Sequence, residues 1–506
     1  MPGWFTEHLE AARGLLLVLI LAPLAFAVSP MSFRWDDTFF IHHAVCVERA
    51  FWTANLSQFD GCLASMAKSP ILALLMIPAG PVRGNLESIV VAPFVLALFI
   101  AALVWLLARL TAIARVPLPA AIVAAIAAIA SPPIWNNGAP FLADGLLAVI
   151  VVNTVMMLFV EWEAPTATTG QTIGRAGLWA LLLTLGLFCK VTFGFVAVLL
   201  APAALAVSWV RNGFLATAIK FVALLVFLIP AMFVLDRYGE LYLQHAQDSS
   251  FGALAVEFYN DGLSRFQFLS RTLPTVWPML VGIAGLSCWA FFARAERGRI
   301  ALALWGGAVM LGYVVLATGS PTKDTRYFWM VWLTLPFCAA AAVAPSPAFP
   351  APAPSAKVLV VLLIFALATP TLGRVRLDGL RLSVETMARL PANRPASVAL
   401  TTDDPEFNVE TMLLAQQLDW SHRSKLIVFT VVYNIVNDRT PEKSLETLAK
   451  TDIVLSRYPA APGAPEWTNR FAPAFDEALR TSGRQVEVQP GSPPIDIFTL
   501  QPTEAK

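Results

Sequence analysis

Apolar residues come along this chain in long blocks, without the period-2 alternation of a half-buried strand. The blocks occupy 13–30, 86–108, 117–134, 143–160, 177–190, 192–210, 214–235, 273–292, 299–318, 327–344 and 357–373. Most are long enough to cross a hydrocarbon core of roughly 30 Å as a helix. The pattern predicts an α-helical polytopic membrane protein with about eleven transmembrane helices. Only Lys190 separates the fifth block from the sixth. That pair reads either as two spans or as two short or tilted helices.

The polar stretches between the blocks set the orientation. Arg294, Arg297 and Arg299 cluster between the eighth and ninth spans. Arg109 with Arg115, then Arg175, then Arg211 fall on the same side when the spans are counted in order. Basic residues in short loops mark the cytoplasmic side. The N-terminus is then cytoplasmic, and 31–85, 135–142, 236–272, 319–326 and everything after 373 face the other way. Glu7, His8 and Glu10 dilute any basic leader, so 13–30 reads as a retained span.

Residues 345–356 are rich in Pro and Ala and read as a stiff connector. The transmembrane part is expected over 1–373, a linker over 374–392, and a soluble, extracytoplasmic α/β domain over 393–506. In that last part, strand-like runs at 397–400, 426–432, 452–456, 486–488 and 495–500 alternate with helical stretches near 406–418, 441–449 and 465–480. Such alternation predicts a mostly parallel sheet. No Gly-x-Gly-x-x-Gly follows its first strand, so a nucleotide-binding reading is not made.

Composition agrees. Of 506 residues, 57% are hydrophobic and 14% charged, against about a quarter charged in soluble chains. Fifteen Trp and 33 Phe suit interfacial anchoring. The net charge of +1 gives no electrostatic case for nucleic acid. Cys189, Cys288 and Cys338 lie inside expected spans as packing residues, whereas Cys46 and Cys62 share the first outer loop and either pair or stay free. Asn55-Leu56-Ser57 is a formal glycosylation sequon.

The first outer loop holds the clearest candidate chemistry. It opens Phe33-Arg34-Trp35-Asp36-Asp37-Thr38 and continues to His42-His43. Two adjacent carboxylates beside apolar surface are costly to keep ionised, and near a membrane such groups are functional candidates. One Asp suffices as a helix cap, and the two roles can be divided between the pair. Residues 37–52 read as an interfacial amphipathic helix, with Thr38, His42 and Arg49 on one side and Phe39, Phe40, Val47, Ala50 and Phe51 on the other. His43 falls among the apolar residues and reads as packing. His42 could join Asp36 or Asp37 around a divalent cation. A second interfacial helix starts at Pro70 behind Lys68, which either meets an anionic head group or snorkels.

Further polar groups stand at the outer ends of spans: Asp144 at the start of the fourth, Lys190 after the fifth, and Lys323, Arg326 and Tyr327 at the start of the tenth. Arg and Lys are the usual phosphate binders. Arg326 and Tyr327 read equally as interfacial anchors. The 236–272 segment reads as a long polar loop, with Tyr238, Glu240, Tyr242, His245, Glu257 and Tyr259 available to line a cavity.

The layout resembles the GT-C glycosyltransferases that use polyprenyl-phosphate-linked sugars. It is nearest to bacterial relatives of protein O-mannosyltransferases and to aminoarabinose transferases. The similar features are Asp36-Asp37 opening the first outer loop, Lys68-Ser69-Pro70-Ile71, Phe141-Leu142-Ala143-Asp144-Gly145-Leu146-Leu147, Gly186-Leu187 leading to Lys190, and Arg326-Tyr327 leading to Leu335-Pro336. They extend over about residues 10–345. Ser69 stands where the family often has Pro, and neither His42-His43 nor Cys46…Cys62 is a general family feature.

The resemblance implies inverting glycosyl transfer on the extracytoplasmic face of the inner (plasma) membrane. The donor would be a polyprenyl-phosphate sugar and the acceptor a lipid, glycan or protein hydroxyl. It implies Asp36 or Asp37 as general base, with the other orienting the acceptor or holding a divalent cation together with His42. Lys190, Lys323 and Arg326 would offset the leaving phosphate's charge. Asp144 would support the pocket, and His42, Lys68 and Tyr327 would contact substrate. A membrane transporter or lipid flippase is the alternative, and an assembly subunit a third reading. Transporters of many kinds show internal repeats and midplane charges. No repeat is visible here, and the charges are expected at one face. Convergence of Asp36, Asp37, Asp144 and Arg326 on one outward cavity would favour the enzyme.

Overall fold

The computed structural model describes residues 35–66, 69–75, 77–78, 91–130, 143–164, 168–250, 263–293, 295–320, 325–343, 378–390, 396–401, 404, 407–418, 427–431, 451–457, 473, 477, 479–481, 484–489 and 495–499. The expected spans at 13–30 and 357–373 lie outside them, as do the 345–356 connector and the helix expected near 441–449. Three helices form the first loop: α1 (Trp35–Trp52), α2 (Leu56–Ala64) and α3 (Pro70–Leu75). The bundle follows as α4 (Val91–Ile113), α5 (Leu118–Ala130), α6 (Ala143–Glu163), α7 (Thr169–Cys189) and α8 (Phe193–Ser250). After these come α9 (Arg265–Thr272), α10 (Trp277–Phe292), α11 (Arg297–Gly319) and α12 (Trp329–Ala342).

Among the described residues, five helical stretches are long and apolar enough to cross a membrane: Ala143–Glu163, Thr169–Cys189, Phe193–Gln247, Arg265–Phe292 and Arg297–Gly319. Leu98–Ile113, Leu118–Ala128 and Trp329–Ala342 are shorter apolar helices. Helix α6 is the axis of the bundle. It is hydrophobic on every side, and its residues from Ala143 to Glu161 are all buried. An α-helix without a polar stripe is stable only when neighbours surround it, and α4, α7, α8, α11 and α12 all pack on it.

The fifth expected span is a full-length helix, not a short tilted one. Its start lies at Thr169, where Thr168 and Gln171 form a reciprocal capping box. Helix α8 needs a different reading. A straight helix of 55 residues would be about 80 Å long, far beyond the bilayer core. It breaks at Gly213, whose φ of +81° and ψ of 176° are non-helical. Contacts show that the chain reverses there. Phe193 lies against Gly186 and Arg211 over Trp162, then Lys220 pairs with Glu161 and Tyr242 returns to Leu187. The two spans expected at 192–210 and 214–235 are therefore the two arms of this hairpin.

Two segments expected as loop or linker carry helices. The second arm of α8 runs on to Ser250, and α9 fills 265–272 within the expected 236–272 loop. The polar residues from Asp236 onward end the apolar run without breaking the helix, because loss of hydrophobicity does not remove backbone hydrogen bonding. Within 374–392, α13 (Asp378–Arg389) buries Leu380, Ser383, Thr386 and Met387 at helical spacing.

The remaining described elements are β1 (Ala396–Leu400), α14 (Val409–Leu418), β2 (Ile427–Val431), β3 (Ile453–Ser456), β4 (Arg484–Gln489) and β5 (Ile495–Thr499). They form one sheet in the order β2-β1-β3-β5-β4. β1 is parallel to β2 and β3, while β5 is antiparallel to β3 and β4. The sheet is thus evenly mixed instead of mostly parallel. The segment between β4 and β5 is too short for the crossover that parallel neighbours require.

Helix α1 also departs from expectation. It does not lie free on a surface: Ile41, Ala44, Val45, Val47, Glu48 and Ala50 are all buried. α2 and α3 cover it from the loop side and α14 from the sheet side. Cys46 and Cys62 are disulfide-bonded, which staples α1 to α2.

Candidate functional site

Asp144, Lys190 and Tyr327, three candidates widely separated in sequence, meet at one end of the bundle. Lys190 is placed by a tight turn between α7 and the first arm of α8. Its backbone is extended, its N–H donates to the Gly186 carbonyl (2.9 Å), and its own carbonyl accepts from the Phe193 N–H (3.0 Å). The turn needs a glycine at 186. A Cβ there would stand 2.4 Å from the Phe193 ring, closer than any carbon contact allows. The Gly-Leu-x-x-Lys run therefore has a packing cause: the glycine lets Phe193 lie over α7, and Lys190 emerges at the top.

The Lys190 Nζ lies 2.6 Å from Asp144 Oδ1 and 4.3 Å from the centre of the Tyr327 ring. Asp144 is in the first turn of α6 and Lys190 caps the end of α7, so each charge complements its helix dipole. The pair is not sealed, since the Lys190 side chain keeps about a quarter of its surface exposed. Tyr313 of α11 is buried nearby, in ring contact with Phe195.

Around this junction, other groups satisfy the last carbonyls of α7, which have no intrahelical partner. The Tyr242 hydroxyl donates to the Leu187 carbonyl (2.8 Å) and the Ser69 hydroxyl to the Phe188 carbonyl (3.4 Å). The Cys189 thiol donates to the Ala143 carbonyl (3.1 Å). Ser69 brings the first loop to the junction, immediately after Lys68. A second tie lies farther out. Asp60 of α2 accepts from Arg237 (3.0 Å) and from the Tyr238 hydroxyl (2.6 Å) on the second arm of α8. Tyr238 and Arg237 hold the Asp60 carboxyl below the usual carboxylate range.

Asp36 and Asp37 stand in the first turn of α1, and His42 stands in the same helix. They follow Trp35 inside the helix, in its first turn, where a carboxylate complements the helix dipole. The side chains of these three and of Arg326 lie outside what the structure describes, and Lys68 and Lys323 lie outside the described residues. Spacings of five and six residues do not bring two positions to one helical face, as three or four do. A cation shared by His42 and either carboxylate therefore gains nothing from α1 itself. Among the described residues, no group of three or more His, Cys, Asp or Glu side chains is arranged to hold a metal.

Charge is not confined to one end of the bundle, contrary to expectation. At the opposite end, Glu161 of α6 is fully buried and accepts from Lys220 (2.5 Å), Arg175 (3.4 Å) and the Trp179 indole (3.1 Å). Glu163 pairs with Arg299. Arg299, expected in the basic cluster between the eighth and ninth spans, is buried, and it donates to the Ala341 (2.9 Å) and Val343 (3.3 Å) carbonyls at the end of α12. Glu161 and Lys220 escaped the sequence reading because each sits at the edge of, or within, an apolar block. The one available signal was that a charged residue in such a block needs a buried partner.

No protein-family model matches the sequence, and no curated protein does. Solved structures match it along nearly its whole length. ArnT from Cupriavidus metallidurans, bound to undecaprenyl phosphate, is 14% identical with a TM-score of 0.56, covering 98% of each chain. The same protein in the apo state has a TM-score of 0.54 at 14% identity, over 98% of this chain and 99% of that one. The Archaeoglobus fulgidus oligosaccharyltransferase is 11% identical with a TM-score of 0.49, over 88% of this chain and 69% of that one. The fold of this chain is that of the ArnT structures, and the coverage takes in the sheet as well as the bundle.

Proposed function

We propose that this protein is a membrane glycosyltransferase of GT-C type, which moves a sugar from a polyprenyl-phosphate donor to an acceptor hydroxyl on the extracytoplasmic face. The observation that carries the reading is the Asp144–Lys190–Tyr327 junction at one end of an ArnT-like fold. The ArnT structure holds undecaprenyl phosphate, a lipid of the class that the donor would release. On this reading the chain makes eleven crossings, with the sheet forming an extracytoplasmic α/β domain from about residue 393. The Cys46–Cys62 disulfide agrees with an oxidising outer side.

In the proposed reaction, Asp36 or Asp37 accepts the acceptor's hydroxyl proton as the oxygen attacks the anomeric carbon. The bond to the phosphate oxygen breaks in the same displacement, which inverts that centre. Lys190, with Lys323 and Arg326, offsets the charge growing on the departing phosphate. Asp144 keeps Lys190 in place, and Tyr327 flanks its ammonium. Lys68 follows the head group from the first loop, and His42 stands on the same helix as the base. Where the acceptor requires a divalent cation, Asp36, Asp37 and His42 are the ligand set to test. The partly exposed ion pair favours an enzyme over a transporter, because it presents a cation at a helix end where a phosphate can reach it.

Comparing lipids and glycans of a deletion strain with its parent by mass spectrometry should reveal one sugar missing from one acceptor. Asp36→Asn and Asp37→Asn should express normally, and at least one should lose about 10²–10⁴-fold in transfer. Wild-type transfer from a polyprenyl-phosphate sugar in both variants would remove the acid pair from the mechanism.

A further inference from the structure

The helix that carries Asp36 and Asp37 is held from two directions. On the bundle side it packs on α3, which in turn meets α7, with the Ser69 hydroxyl donating to the Phe188 carbonyl. It also packs on α14 of the sheet unit. Ile41, Ala44, Val45 and Glu48 share one side of α1, and Val47 and Ala50 lie on another, yet all are buried. α2, α3 and α14 all pack on α1, so α14 is one of the walls that cover it.

Helix α14 is itself fixed to the sheet through its first turn. Asn408 caps it, accepting from the Thr411 N–H (3.1 Å), while the Thr411 hydroxyl accepts from the Asn408 N–H (2.9 Å). The Asn408 amide donates to the Asp404 carbonyl (3.0 Å). The Asp404 carboxylate pairs with Arg457 at 2.9 Å, and both are buried. Arg457 directly follows β3, and the Thr401 N–H just beyond β1 donates to the Leu455 carbonyl (3.0 Å). A continuous set of short bonds thus runs from the central strands to the cap of α14, and packing carries it from α14 to α1.

We infer that the sheet unit is a positioning part of the active site: α14 is the wall that sets the acid-pair helix, and the buried Asp404–Arg457 pair is the tie that holds that wall. This rests on the reading that the acid pair is the base. Arg457 touches no reacting group, so its role is positioning. The inference follows from the geometric sensitivity of general-base catalysis, where a displacement of about 1 Å costs on the order of 10²-fold.

The test uses the full chain in lipid nanodiscs. Arg457→Met cuts the tie and Arg457→Lys keeps its charge, while Met412→Ala loosens α14 without touching the ion pair. Two quantities are read: amide hydrogen exchange across 36–48 and 143–163, and transfer kinetics with the donor that the wild type accepts. Arg457→Met should speed exchange across 36–48 by about tenfold or more and leave 143–163 unchanged. Its kcat should fall by about tenfold or more with the donor KM within about twofold. Arg457→Lys should recover most of both, and Met412→Ala should move both in the same direction by less. Wild-type exchange across 36–48 in a variant whose 409–418 amides have become fast would overturn the proposal. So would an unchanged kcat in a variant whose α1 exchanges freely. Absence of transfer by the wild type from any polyprenyl-phosphate sugar would instead defeat the functional reading, and the exchange arm would still decide the mechanical coupling.

Discussion

The two ends of helix α6 hold charge in different ways. At Glu161 the carboxylate is fully enclosed and met by Lys220, Arg175 and the Trp179 indole, so each buried donor and acceptor has its counterpart. At Asp144, among the described residues, one lysine is met by one carboxylate and one aromatic face, and part of the lysine stays open. The first arrangement locks α6, α7 and α8 together. The second leaves part of an ammonium open, where the proposed function has the donor's phosphate bind. One helix thus has a closed end suited to register and a partly open end.

Substitutions at each end should separate these roles. The largest effect is expected from Lys190→Met, which should reduce transfer by about 10²–10³-fold and lower the melting temperature in detergent by less than Lys220→Met does. A melting shift as large as that at the closed end would place both ends in one structural class. Lys220→Met should do the reverse. It leaves Glu161 buried without its main counter-charge, a loss of about 3–5 kcal/mol, while transfer per folded molecule stays near wild type. Lys220→Met combined with Glu161→Gln should recover much of that stability, and failure to recover would mean that the pair does more than neutralise itself. The smallest effect is expected at the exposed Asp60 tie. Its carboxyl is held below its ordinary value of 3.8, so its contribution is complete above that pH and disappears as the pH falls through the lowered value. Asp60→Asn should therefore lower the melting temperature slightly in the neutral region and converge with wild type in acid, which flattens the acid limb of the profile.

Much of the architecture was readable from apolar block length alone, because lipid imposes a fixed thickness on each crossing. Even the break at Gly213 was implied by Arg211, Asn212 and Gly213 between two apolar runs. The helices at 236–250 and 378–389 were not readable, since polarity there reports where the chain meets water and not where its hydrogen bonds end. In the site, Asp144, Lys190 and Tyr327 were each chosen for standing at span ends, and that criterion found partners 46 and more residues apart. The same criterion is blind to Ser69 and Tyr242, which act through hydroxyls on orphan carbonyls, and to the burial of α1. An amphipathic pattern tells how many sides of a helix are apolar, but not whether membrane or a distant helix covers them.

The reversal at Gly213 has a consequence for the address of everything that follows it. Each passage through a bilayer flips the side on which the chain emerges, so the side reached by any later residue depends on whether the number of passages before it is odd or even. On the proposed topology Phe193–Gln247 counts as two, because one residue takes a backbone conformation that L side chains rarely adopt. A bulky residue at 213 would remove no hydrophobic surface, yet by favouring an unbroken helix it would bias Tyr242, α9 and every later element toward the face opposite the proposed one. Such a variant would keep its composition and its hydropathy profile while losing its orientation.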